Sequence, residues 1–161
     1  MKTETIWLQE TDGVPNNPRL PVLLHRQAFA PATPAAAEAM FAAQGWPPAW
    51  RNGIYDYVHL HTAAHEALAI GAGEVTVELG GEGGPVVAVQ AGDVLVLPAG
   101  TGHRNLGQSD DLLVVGAYPK GQAPDTCRAD AGSLAEARAR IARLPDPPGC
   151  PVNGQAYPRR P

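Results

Sequence analysis

His59-Leu60-His61-Thr62-Ala63-Ala64-His65-Glu66 is the stretch on which the reading of this chain turns, together with Pro98-Ala99-Gly100-Thr101-Gly102-His103 further on. Side chains alternate along a strand, so His59 and His61 share one face of a strand predicted over residues 54–61. Tyr55 and Tyr57 are expected on that face, with Ile54, Val58 and Leu60 on the other. Residues 62–65 read as a turn, and Glu66 as the start of a returning strand whose face it shares with Leu68 and Ile70. A hairpin of that kind sets a carboxylate beside two imidazoles. By alternation His65 points the other way, as a turn residue or a support to the ligands, and His65 in place of Glu66 is the main alternative. His103 comes from a separate turn shaped by Pro98, Gly100 and Gly102. The four side chains can meet only if the sheet curls, so the set argues for a closed or nearly closed barrel.

His59, His61, Glu66 and His103 form a ligand set for one divalent transition metal per chain: Fe, Mn, Ni or Zn. Three neutral imidazoles and one carboxylate leave such a centre with a single net positive charge. Four protein ligands leave two octahedral positions for water, dioxygen or a bidentate substrate. An open position is what separates a catalytic from a structural metal. A lone strand His is commonly a polar residue near a surface, but four of the five His fall between residues 59 and 103. His25 stands far off and reads as structural. Tyr57 is the candidate catalytic residue, as a phenol able to donate to a ligand, with interior filling as the alternative. Tyr55 and Leu68 are expected in the pocket wall. Asn105 shares parity with His103 and is expected there too. Arg51 is a pocket candidate that would clamp a carboxylate, with a surface ion pair as its alternative.

The rest of the chain fits a small all-β domain. At 161 residues one domain is expected. With 18 glycines, 17 prolines and 17% charged residues, turns and short strands are favoured over long helices. Val22-Leu23-Leu24-His25, residues 75–79, 86–89, 94–97 and 112–117 are apolar or alternating runs, most of them separated by turn residues every eight to twelve positions. Thr33-Pro34 opens an Ala-rich helix that Gly45 ends. Ser133-Leu134-Ala135-Glu136 is a capping box for a second helix reaching Leu144. The expected layout is a core at about 53–118, an N-terminal extension over 1–52, and a C-terminal helix and tail over 119–161. A net charge of −4 with no basic cluster gives no reason to expect nucleic acid. No apolar run has membrane-spanning length or the form of a signal peptide, so a cytoplasmic protein without membrane contact is expected. Cys127 and Cys150 lack CxxC spacing. Two free thiols in a reducing compartment are expected, with a disulfide between them as the alternative.

These residues resemble the cupin superfamily (RmlC-like). Its first motif is Gly, five residues, His-x-His, three or four residues, Glu, six residues, Gly. Gly53, His59, His61, Glu66 and Gly73 meet every position. In its second motif Gly92, Pro98, Gly100 and His103 match, while Gly107 stands where the family has Asn and Asn105 comes two positions early. The segments Pro15-Asn16-Asn17-Pro18, Trp50-Arg51-Asn52-Gly53-Ile54, Leu79-Gly80-Gly81, Ala91-Gly92-Asp93-Val94 and Gly116-Ala117-Tyr118-Pro119 look like the small YjlB-like bacterial cupins. The resemblance implies a single-domain antiparallel β-barrel, a double-stranded β-helix or jelly roll, with short peripheral helices on both sides.

It does not imply one reaction, because the superfamily hosts many. The first reading is a metal-dependent, oxygenase-type enzyme acting on a small organic substrate. The second is a non-redox isomerase, epimerase or lyase, which needs a general base near the metal. The third is a non-catalytic small-molecule binder. A homodimer is expected, since exposed strand edges need cover.

Overall fold

A computed structural model describes residues 1–129 and 132–160. Positions 130, 131 and 161, which fall in the expected C-terminal extension, lie outside the described residues. The chain builds two antiparallel sheets. Six strands form the first: β1 (Lys2–Ile6), β2 (Val22–Arg26), β8 (Val94–Leu97), β5 (Glu66–Ala72), β10 (Leu113–Ala117) and β3 (Pro48–Asn52), in that order. The second, in order, is β11 (Cys127–Arg128), β4 (His59–Leu60), β9 (His103–Gln108), β6 (Glu74–Leu79) and β7 (Val86–Gln90). Among the described residues no strand pairing joins the sheets, so the expected closed barrel gives way to two layers. Segments before residue 53 supply β1, β2 and β3 to the larger sheet.

Alternation decides what lies between the layers. Leu68 and Ile70 of β5, Leu95 and Leu97 of β8, and Val22 and Leu24 of β2 point inward. They meet Val75, Val77 and Leu79 of β6 and Val89 of β7. The alternate residues Ala67, Ala69, Val94, Val96, Val115 and Ala117 face outward. That face is covered by helix α1 (Pro34–Ala43) through Ala37 and Phe41, with Trp46 just beyond it. Small residues on β5 let the helix come close, and Pro34 stands against Gly71. Truncating either buried aromatic, Phe41 or Trp46, would cost about 3–5 kcal/mol.

Both helices begin at the sequence signals. Thr33 Oγ1 accepts from Ala36 N at 3.3 Å, and Pro34 occupies the first turn. Ser133 accepts from Glu136 N at 3.3 Å and starts α2 (Leu134–Arg143). The extended tail lies across the outer face of the six-stranded sheet. Tyr157 Oη donates to Pro21 O at 2.6 Å, and Trp46 Nε1 donates to Gly149 O at 3.1 Å. No disulfide forms: Cys127 is half-buried and Cys150 buried, both as free thiols. No helix among the described residues is long and apolar enough to cross a membrane.

The strand expected over residues 54–61 is corrected. Only His59 and Leu60 are strand, and residues 53–58 form an irregular segment after β3. The expected hairpin is corrected as well. β4 pairs with β9 and β11, whereas β5 pairs with β8 and β10. Residues 61–65 therefore carry the chain from one sheet to the other across a gap of roughly 10 Å.

Candidate metal centre

The crossing places Glu66 opposite the imidazoles instead of beside them. His59 and His103 are paired neighbours on β4 and β9. Glu66 is the first residue of β5 in the facing sheet, and His61 lies on the crossing segment between them. All four side chains are buried. One ring nitrogen from each of His59, His61 and His103 falls within 4.8 Å of the others. Glu66 Oε2 is 3.3 Å from His61 Nε2, and Oε1 is 3.2 Å from His103 Nε2.

Each imidazole is oriented by its other nitrogen. His59 Nδ1 donates to Tyr57 O at 3.0 Å, His61 Nδ1 to Asp125 O at 2.9 Å, and His103 Nδ1 to Thr101 O at 3.0 Å. A carbonyl can only accept, so each Nδ1 carries a proton and each ring turns its Nε2 toward the others. This is how ligating histidines are commonly held. Glu66 Oε1 is buried and has no donor. Glu66 Oε1 and His103 Nε2 therefore face each other across 3.2 Å.

The shifts in proton affinity follow from that arrangement. Burial, aided by the nearby His103 ring, pushes His59 down to about 4, so its ring is neutral at ordinary pH. Burial opposes charge on His61, but the Glu66 carboxylate and Asp125 outweigh it and raise its pKa. Burial alone would raise Glu66, yet the His103 and His61 rings hold its carboxyl far below the usual range. The last two shifts describe one pairing, in which the Glu66 carboxylate favours a proton on His61. Two ligands each about 2.1 Å from one ion stand roughly 3.0–3.4 Å apart, which matches the carboxylate-to-ring distances. The three imidazoles, with Glu66 beside two of them, thus offer a donor set that fits a divalent transition ion.

A cavity of about 420 Å³ opens onto this cluster. Tyr55 and Leu68 line it as expected, and Trp50, Ile54, Tyr118 and Thr126 join them. Tyr57, Asn105 and Arg51 do not line it. Tyr57 lies under the Arg128 guanidinium, because alternation does not extend through the irregular residues 53–58. Asn105 Nδ2 donates to Gln108 Oε1 at 2.7 Å, at the exposed end of β9. Arg51 makes a two-pronged pair with Glu38 of α1, at 2.9 and 2.6 Å. His65 turns away from the cluster. Its Nδ1 accepts from Ala99 N at 2.9 Å, and its Nε2 donates to Pro145 O at 2.8 Å. His25 is remote, between Thr3 and Cys150.

Several residues that hold the site escaped the sequence reading. Tyr118 Oη donates to Glu66 Oε2 at 3.1 Å and accepts from Trp50 Nε1 at 2.9 Å. Burial, with Glu66 beside it, raises the Tyr118 phenol well above its ordinary value and keeps it protonated. Gly116 makes room for this chain, since a Cβ there would stand 2.1 Å from the Trp50 ring. Val114 and Gly116 share one face of β10, and Tyr118 follows just past its end. The carboxylate of Asp125 accepts from Thr62 N at 2.7 Å and Ala63 N at 2.8 Å, and also bonds the Thr62 hydroxyl. It thereby pins its own carbonyl under His61. The Pro15-Asn16-Asn17-Pro18 turn brackets the loop before His103. Asn16 Oδ1 accepts from Gly102 N at 3.0 Å, and Asn17 Nδ2 donates to Ala99 O at 3.0 Å. Gly100 has φ +91°, and a Cβ there would meet both Ile141 and Asn16.

A family model described as "Cupin domain" matches residues 51–115. The Bacillus subtilis (strain 168) protein YjlB, described as uncharacterized, is 31% identical over 157 residues, covering 98% of this chain and 94% of its own. A crystal structure of a DUF861 family protein from Thermotoga maritima aligns with a TM-score of 0.39 at 17% identity, covering 60% of this chain and 98% of that one.

Proposed function

Since the chain belongs to the cupin superfamily and has YjlB as a near full-length relative, we propose that it binds one divalent transition metal through His59, His61, Glu66 and His103. We read the two sheets as a jelly roll forming a single domain around that centre. The observation that carries the proposal is the unpartnered Glu66 Oε1 facing His103 Nε2. A divalent ion among these atoms would satisfy the oxygen and supply Lewis acidity and a template for an oxygen-bearing ligand.

The function this supports best is a metal-dependent enzyme of oxygenase type acting on a small organic substrate. The chain's own residues bind, orient and keep water out. Ile54, Leu68 and Trp50 give the pocket an apolar wall. Trp50 and Tyr118 fix one oxygen of Glu66. The isomerase reading requires a group that removes a proton. Tyr118 holds its proton too firmly for that, and the three site imidazoles are turned toward Glu66 and one another. A binder without turnover shares the same site and differs only in lacking a reaction.

The test is elemental analysis of protein purified without added metal, with His59→Ala as control. About one Fe, Mn, Ni or Zn per chain is expected, and it should be missing from the variant. Wild-type protein that carries no metal and takes up none of these four ions in titration overturns the proposal. Iron content with dioxygen consumption in the presence of substrate separates the oxygenase from the binder.

We further propose a homodimer, because β7 is an open sheet edge and Val86 on it is exposed. A monomeric mass by light scattering would refute this. A reducing, cytoplasmic setting accords with the two free thiols.

A further inference from the structure

Tyr55 is 55% exposed, yet its ring is held in place. It stacks on Tyr57 with centroids 4.9 Å apart and planes 20° from parallel. The Arg128 guanidinium lies 3.8 Å from the centre of the Tyr57 ring. Tyr55 already covers one face of that ring, so van der Waals exclusion puts Arg128 on the other. Tyr55 also meets His59 nearly at right angles, with ring centres 5.1 Å apart. A three-layer stack therefore runs from Arg128 on β11 through Tyr57 to Tyr55 in the pocket wall. A surface tyrosine without a role is free to rotate. This one is ordered in advance, beside an imidazole of the candidate centre.

The charge of the pocket adds a second constraint. Apart from the three imidazoles and Glu66, its lining is neutral among the described residues. Four arginines around it are otherwise engaged: Arg51 with Glu38, Arg104 with Glu78, Arg128 with Tyr57, and Arg140 with Thr62. A phosphate or a second carboxylate would enter this space without a counter-charge from a side chain.

The geometry points to a ligand class for this pocket: a small molecule with a planar ring and no phosphate, which stacks on Tyr55 while a pair of oxygen donors reaches the metal. Tyr55 is then the specificity-determining residue. The inference rests on the metal-site reading above. Aromatic stacking in an offset or edge arrangement contributes beyond simple burial, enough for roughly two- to tenfold in affinity.

The test uses three hydroxamates with the same metal-binding group on the metal-loaded protein: acetohydroxamate, cyclohexanecarbohydroxamate and benzohydroxamate. Affinities are read by calorimetry, so no activity is needed. Benzohydroxamate should bind roughly two- to tenfold tighter than the cyclohexane compound, which has similar bulk but no planar ring. Tyr55→Leu should erase that preference, read as the ratio of the two ring compounds' affinities within the variant. Tyr55→Trp should retain it. Equal binding of the two ring compounds by wild type, or a preference that survives in Tyr55→Leu, overturns the stacking role. Failure of all three to bind instead overturns the metal-site reading, and this inference with it.

Discussion

In the pocket, His59, His61 and His103 each commit one ring nitrogen to a carbonyl and leave the other bare. In the seams behind it, where the chain ends pack against the sheets, His65 and His25 engage both. His65 bridges Ala99 and Pro145, and His25 lies between the Thr3 hydroxyl at 2.9 Å and the Cys150 thiol at 3.3 Å. All five rings are buried. Burial alone therefore says nothing about role. What separates the two regions is the second nitrogen: where it has a partner the ring is a brace, and where it has none the ring can be a ligand.

The largest test of this contrast is a pair of alanine variants in metal-free protein. His65→Ala leaves the Ala99 N–H and the Pro145 carbonyl unpaired around a void, and should cost about 3–5 kcal/mol in urea unfolding. His103→Ala also opens a void but leaves only the Thr101 carbonyl unpaired, and should cost about 1 kcal/mol less than His65→Ala. Equal losses would break the comparison. Next comes Asp125→Ala, which frees the carbonyl beneath His61. Metal affinity should fall roughly tenfold or more, as measured by competition with a chelator.

Gly116→Ala sharpens the picture from the Glu66 side. The new methyl displaces the Trp50 ring, so about 1–3 kcal/mol of stability should go, with a shift in tryptophan emission. The smallest effect is on pH. Burial lowers the His25 pKa from its ordinary 6.5. Below 6.5 the unfolded chain takes up a proton that the folded ring resists. The contribution of neutral His25 is thus fully present above pH 6.5 and is lost as pH falls through its lowered folded value. The urea midpoint of wild type should fall more steeply from pH 7 to pH 5 than that of His25→Gln.

The parts legible in the sequence share a physical trait. β2, β6, β7, β8 and β10 are apolar or cleanly alternating, and both helices carry a side-chain cap at their first turn. The four metal-type side chains stood out by residue type and spacing, and they do stand together. β1 and β3 are edge strands made largely of exposed residues, so they print no apolar run. β9 begins at buried His103 and becomes polar and exposed along its length. Parity misled where it was carried past the strand, as at Tyr57. Trp50, Asn16 and Asp125 act through partners 63 to 86 residues away. No local pattern announces a bond of that range.

The Asp125 clasp also sets an order of events. A ribosome adds His59, His61, Glu66 and His103 to the chain before residue 125, and the family pattern over residues 51–115 is complete by then. At that stage the nascent chain holds every side chain that can grip an ion, but nothing yet aims His61. The centre acquires its final geometry only when the C-terminal segment folds back, so an ion bound there would be captured at the end of folding and not at the emergence of the motif.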